Sequence, residues 1–253
     1  MIPLIRGWTG LQRTTENNTR LGVTLAFVAG AANAGGFLAV GQYTSHMTGV
    51  VSSIADSLVL GNITLALVGV AMLMAFLAGA MSTALLVNWG IRRALQSAYG
   101  LPLLLESVLL LIFGVFGGAM NIAAHLFAPL TVLLLCFMMG LQNAVITKIS
   151  RAEIRTTHVT GLLTDFGIEL GKLLYINRTV QKTPVRANPD KLKLQGKLIT
   201  GFLGGALVGA TGFKYVGFVT TVPLAIALLL LVLRPLWNDL LSLRTQPLGA
   251  GSK

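Results

Sequence analysis

Two of the three histidines in this chain sit in the same short pattern. Thr44-Ser45-His46-Met-Thr48-Gly49 and Thr156-Thr157-His158-Val-Thr160-Gly161 both read T-[ST]-H-x-T-G. Each follows an Asn-Ala pair, at Asn33 and at Asn143. Hydroxyls placed just before a helix can cap its first N–H groups. The N–H groups left over, with the positive end of the helix dipole, can hold an anion or a carbonyl. A glycine one turn in, Gly49 or Gly161, lets a ligand or a second backbone approach closely. The imidazoles of His46 and His158 could bind a solute, carry a proton or gate a path. A structural reading competes with this one, in which the hydroxyls end a loop and the histidines tie two parts of the fold together.

Carboxylates supply further candidates. Asp165 follows His158 by two helical turns, and Glu169 follows Asp165 by one, so all three share a helix face. Asp165 is a candidate for proton coupling, whereas Glu169 is expected to pair with Lys172 or Arg155. Glu106 lies inside an apolar stretch, where an ionisable group is costly and so marks function unless it is paired. It is either a second proton-coupling candidate or a partner of Arg92 or Arg93. Asn33, Gln142 and Asn143 could bond across helices or touch a solute. The sequence contains no G-x-S-x-G, H-E-x-x-H or P-loop pattern, so no enzyme activity, cofactor or resident metal is expected.

The elements that must position these groups follow from composition. Of 253 residues 54% are hydrophobic and only 11% charged, with a mean hydropathy of +0.78. Soluble domains carry about 25% charged residues, so a soluble or disordered chain is excluded. The single Cys136 excludes an internal disulfide. Six stretches are long and apolar enough to span a bilayer: 21–41, 63–87, 101–119, 126–146, 198–213 and 216–233. Two more polar stretches, 44–60 and 156–174, read as half-helices.

Charge sets the orientation. With a cytoplasmic N-terminus and six crossings, 18 of the 19 basic residues face the cytoplasm and only Lys214 faces out. Letting both half-helices cross would put the basic 172–197 loop outside. The net charge of +11 is therefore assigned to the anionic inner leaflet rather than to nucleic acid.

The duplicated motif gains meaning from this count. Each half holds one span, one half-helix and two further spans. Three crossings per half invert the second half relative to the first, a plan in which solute sites form at broken helices near the midplane. The expected organisation is a cytoplasmic segment at 1–20, a first repeat at 21–119, a second at 126–233 and a cytoplasmic tail at 234–253. Spaced glycines at 114 and 118 and at 201, 205 and 209 are expected to serve contacts within the chain, with a homo-oligomer left open.

The two motifs, Tyr43–Gly49 (YTSHMTG) and Thr157–Gly167 (THVTGLLTDFG), resemble those of the YoaK-type family of bacterial inner-membrane proteins, catalogued mainly as a domain of unknown function. The resemblance extends over about residues 21–233. Asn33 and Val50 stand where members of that family often carry Asp and Asn. The resemblance implies a multi-pass bacterial inner-membrane protein and supplies no substrate. The expected fold is thus an all-α membrane protein with six transmembrane helices, two half-helices and an inverted 3+3 repeat. The expected function is secondary transport of a small polar or anionic solute. A channel, an intramembrane enzyme and a non-transporting partner or sensor are the alternatives.

Overall fold

A computed structural model describes residues 14–150, 154, 156–177 and 183–245. Parts of the expected N-terminal segment, basic loop and tail, together with Arg155, lie outside the described residues. The described chain is all-α. Six helices are long and apolar enough to cross a membrane, and the protein is an integral membrane protein.

Helix α1 (Thr15–Val40) opens on Thr14, whose hydroxyl accepts from the Asn17 N–H at 3.2 Å. It closes on Gly41 in the left-handed region, φ 71°, where a side chain would be strained. Next come the short α2 (Met47–Val59) and the long α3 (Ile63–Arg92). The helical run Gly100–Ser150 breaks at Ala123 (φ −149°, ψ 70°). Its two spans are α4 (Gly100–Met120) and α5 (Ile122–Ser150). The chain doubles back there: the rings of Phe116 and Phe127 lie 5.7 Å apart, whereas eleven residues of straight helix would separate them by roughly 16 Å. The short α6 (Val159–Leu174) and the long α7 (Pro189–Tyr215) follow. A 3-10 turn (Gly217–Thr220) then leads into α8 (Thr221–Thr245). Asn188 caps α7 by accepting from the N–H groups of Asp190 and Lys191, with Pro189 at the first helical position.

The helix α8 runs well past residue 233, where its apolar stretch ends. The extension carries Asp239 to the start of α4. There its two carboxylate oxygens accept from the N–H groups of Gln96 and Ser97, each at 2.8 Å. A carboxylate at a helix N-terminus is favoured by the dipole.

Packing follows a pattern that occurs twice. Four helices carry F-x-x-G: Phe27–Gly30 in α1, Phe76–Gly79 in α3, Phe137–Gly140 in α5 and Phe202–Gly205 in α7. A Cβ on Gly30 would collide with the Phe202 carbonyl, and one on Gly205 with the Phe27 carbonyl. A Cβ on Gly140 would collide with the Phe76 carbonyl, and one on Gly79 with the Phe137 carbonyl. Each pair is reciprocal, so α1 lies against α7 as α5 lies against α3. One turn along, Gly209 lies on the Ala31 backbone, and Thr83 donates to the Leu141 carbonyl at 2.9 Å. The short helices conform to the same scheme, with α2 packed on α3 and α6 on α7. The spaced glycines thus serve contacts within the chain at 201, 205 and 209. Gly114 faces Thr221, while nothing lies near Gly118.

The buried core is shared by α1, α4, α5, α7 and α8. The outward faces of α3 and α7 expose Leu65, Leu67, Leu85 and Leu203, as lipid-facing helices must. Buried polar groups bond to backbone across helices: Gln142 to the Leu25 carbonyl at 3.1 Å and Ser107 to the Ala225 carbonyl at 2.9 Å.

Candidate functional site

Neither short helix continues the direction of the span before it. The Ser45 hydroxyl donates to the Asn33 amide oxygen at 3.0 Å. Asn33 lies seven residues before the end of α1, so the chain returns about 10 Å alongside its own helix before α2 begins. In the second half, the Thr157 hydroxyl donates to the Asn143 amide oxygen at 2.8 Å, and Thr156 does so at 3.4 Å. Asn143 also lies seven residues before the end of its span, α5. Both helix starts are thereby drawn back into the apolar length of the bundle.

This changes the role of the hydroxyls. The sequence pointed to Thr44, Ser45, Thr156 and Thr157 as helix caps. In the structure the N-cap residues are His46 and His158, and neither helix receives a side-chain cap. The hydroxyls turn back instead, toward the asparagines, because each asparagine offers an acceptor beside the returning chain. Thr44 and Thr156 are fully buried, and the Thr44 hydroxyl has no hydrogen-bond partner among the described residues. The first ladder bonds are Val50 N–H to the His46 carbonyl and Leu162 N–H to the His158 carbonyl. The N–H groups of residues 47–49 and 159–161 therefore precede the helical ladder.

Both helix starts line one cavity of about 990 Å³. Its polar wall is Asn33, Ser45, His46, Thr48, Thr157, His158, Thr160 and Gly161. Thr44, Gly49, Asn143 and Thr156 stand behind that wall. The two glycines of the motif differ. The His46 ring lies over Gly49, with Nδ1 only 2.5 Å from where a Cβ would be, whereas Gly161 faces open space. The remaining wall is apolar and includes Phe37, Phe76, Phe202 and Ala206. Phe37 and Tyr43 stack at 4.6 Å between ring centroids, closing one edge.

The carboxylates lie elsewhere. Asp165 and Glu169 line a second cavity, of about 360 Å³, with Lys172, Lys191 and Gln195. His158 is therefore not joined to Asp165 in one site, because it sits at the helix start and faces the first cavity. Glu169 accepts from Lys172 Nζ at 2.8 Å and from the Asn188 N–H at 2.7 Å. The lysine hydrogen bond, then the Asn188 bond, lowers its pKa below the ordinary carboxylate value. Glu106 is 1% exposed and lines neither cavity. Its expected ion pair with Arg92 or Arg93 is not formed among the described residues, and its Oε2 has no hydrogen-bond partner there. Arg92 and Arg93 are exposed at the end of α3, whereas Glu106 points into the bundle.

Sequence reasoning passed over Phe76 and Phe202, which the F-x-x-G pattern would have marked. It also passed over Asp239, whose bonds to the Gln96 and Ser97 N–H groups leave no sequence signal.

Over residues 21–234 the chain matches the family described as a protein of unknown function (DUF1275), and it belongs to that family. The match agrees with the resemblance carried by the two histidine motifs. No curated protein and no solved structure matches the chain.

Proposed function

We propose that this member of the DUF1275 family is a secondary transporter, not an enzyme, that moves a small polar or anionic solute by alternating access. It would reside in the bacterial inner membrane with both termini cytoplasmic. The observation that carries this reading is the convergence of the two T-[ST]-H-x-T-G motifs on one cavity within the apolar length of the bundle. Two uncapped helix starts direct N–H groups and positive dipole ends at the same space, which suits a carbonyl or an anion. Asn33, the hydroxyls and the imidazoles add donors and acceptors.

The matched F-x-x-G crossings support an inverted repeat, in which α1 to α4 correspond to α5 to α8. An inverted repeat gives transport its two states, because exchanging the conformations of the halves moves the opening to the other side. The cavity wall formed by Ala34, Phe37 and Leu38 with Ala206, Leu207 and Ala210 lies in the half of the bundle assigned to the outside. By the F-x-x-G register its counterpart is Ala144, Thr147 and Lys148 with Ala80, Met81 and Ala84, and none of these lines the cavity. There Lys148 Nζ donates to Asn88 Oδ1 at 3.1 Å, joining α5 to α3. In the second state this wall would open.

The test is flux in proteoliposomes for any solute that stabilises the purified protein. A carrier shows saturable uptake that is accelerated by solute on the far side, and loses it in a His46→Ala, His158→Ala variant. Linear flux without such acceleration would identify a channel instead.

A further inference from the structure

The cavity is bordered by two phenylalanines at corresponding positions. Phe76 on α3 and Phe202 on α7 are the first residues of their F-x-x-G patterns, and both line the cavity partly buried. Their backbones are fixed, since the Phe76 carbonyl lies against Gly140 and the Phe202 carbonyl against Gly30. The backbone beneath each ring is thus held by a close helix crossing. Rigid aromatic anchors of this kind bind by ring contact at little entropic cost. The polar groups are gathered on the walls that carry the helix starts, and none of the described lining residues is Asp, Glu, Lys or Arg. A volume of about 990 Å³ is also far more than a bare inorganic ion fills.

We infer that the solute is a planar, uncharged or weakly acidic heterocycle, held by its faces at Phe76 and Phe202 and by its carbonyl edges at the starts of α2 and α6. This rests on reading the cavity as the solute site. Pockets of mostly apolar lining with a few convergent polar groups recognise ligands of this kind, the aromatics supplying contact area and the polar groups orientation. Ring nitrogens and carbonyls would meet Asn33, the hydroxyls and the uncapped N–H groups. A zwitterionic amino acid would bring an ammonium group to two positive helix ends with no carboxylate among the described lining residues.

The experiment is thermal unfolding of the purified full chain with uracil and xanthine as planar probes, and with glucose, serine and chloride as non-planar ones. At a hundredfold excess over the dissociation constant, a planar probe is expected to raise the melting point by about 5 °C or more. That shift is expected to fall at least tenfold in apparent affinity in Phe76→Leu and Phe202→Leu and to persist in Phe76→Tyr. Ala210→Trp, which narrows the cavity without touching its polar wall, covers the case in which a leucine variant does not fold, and is expected to abolish the shift. A shift from a non-planar probe alone, lost in the His46→Ala, His158→Ala variant and kept in Phe76→Leu, would overturn the planar assignment and leave the transport reading standing. A folded protein stabilised by no probe would count against both.

Discussion

The Ser45 hydroxyl bonds to the Asn33 amide oxygen at 3.0 Å, and this bond holds the returning chain against α1 at the level from which α2 starts. Thr157 and Asn143 repeat the relationship at 2.8 Å in the second half. An asparagine near the end of a span thus sets how deep each half-helix begins.

Removing the acceptor leaves hydroxyls in or near the core without a partner, at about 1–3 kcal/mol each when buried. Asn33→Ala is expected to destabilise by about 1 kcal/mol, since Ser45 is only half-buried. Asn143→Ala is expected to cost about 2–3 kcal/mol, because Thr156 is fully buried and Asn143 also donates to the Met139 carbonyl. Asn33→Asp keeps the acceptor but places an ionisable group at a buried position within the apolar length of the bundle, so it is expected to destabilise near pH 7 and to recover as the carboxyl is protonated in acid. Unfolding in mixed micelles measures all three.

The helix crossings predict opposite signs for neighbouring glycines. A Cβ on Gly205 meets the Phe27 backbone, while one on Gly204 meets nothing. Gly205→Ala is expected to destabilise by about 1–3 kcal/mol through overpacking. Gly204→Ala is expected to be neutral or to stabilise by up to about 1 kcal/mol through helix propensity. Equal effects at the two positions would rule out the close α1–α7 crossing.

How much of this was legible in the sequence depends on what each residue does. The spans and the duplicated motif could be read because hydropathy and a repeated T-[ST]-H-x-T-G are local signals. The cap assignment of Ser45 and Thr157 was not secure, since a hydroxyl before a helix serves either the helix or a distant acceptor. Which one it serves depends on where the chain returns. Glu106 left two readings open for the same reason, proton coupling or pairing with Arg92 or Arg93: its distance from Arg92 in sequence says nothing of the direction in which α4 faces. The F-x-x-G pattern was visible in principle, but its meaning lies in which helices cross, and that is a tertiary fact.

Glu169 gives a pH dependence with a definite sign. Its folded pKa is lowered by Lys172 and the Asn188 N–H, so its stabilising effect is present above the unfolded value of about 4.3. That effect is lost as the pH falls through the lower folded value. Parent and Glu169→Gln are therefore expected to differ in melting point near pH 7 and to converge in the acid range. A constant difference from pH 7 to pH 3 would show that the carboxylate is not held by these bonds.

Lys148 and Asn88 close the wall that would open in the second state. Cysteines at both positions, joined by a short bifunctional reagent in a Cys136→Ala background, are expected to preserve solute binding and to stop counterflow. Unimpaired counterflow after complete cross-linking would mean that this wall does not move.

The most direct test of a single site built by both halves is labelling of Thr48→Cys and Thr160→Cys, each in the Cys136→Ala background, with a membrane-impermeant thiol reagent added outside. Both residues are exposed and line one cavity, although in the proposed inverted repeat they would come from halves that run in opposite senses through the membrane. Both cysteines are expected to react from the outside, and a stabilising solute is expected to protect both together. Reaction of Thr48→Cys alone, with Thr160→Cys reached only from the cytoplasmic side in every condition, would contradict the shared cavity.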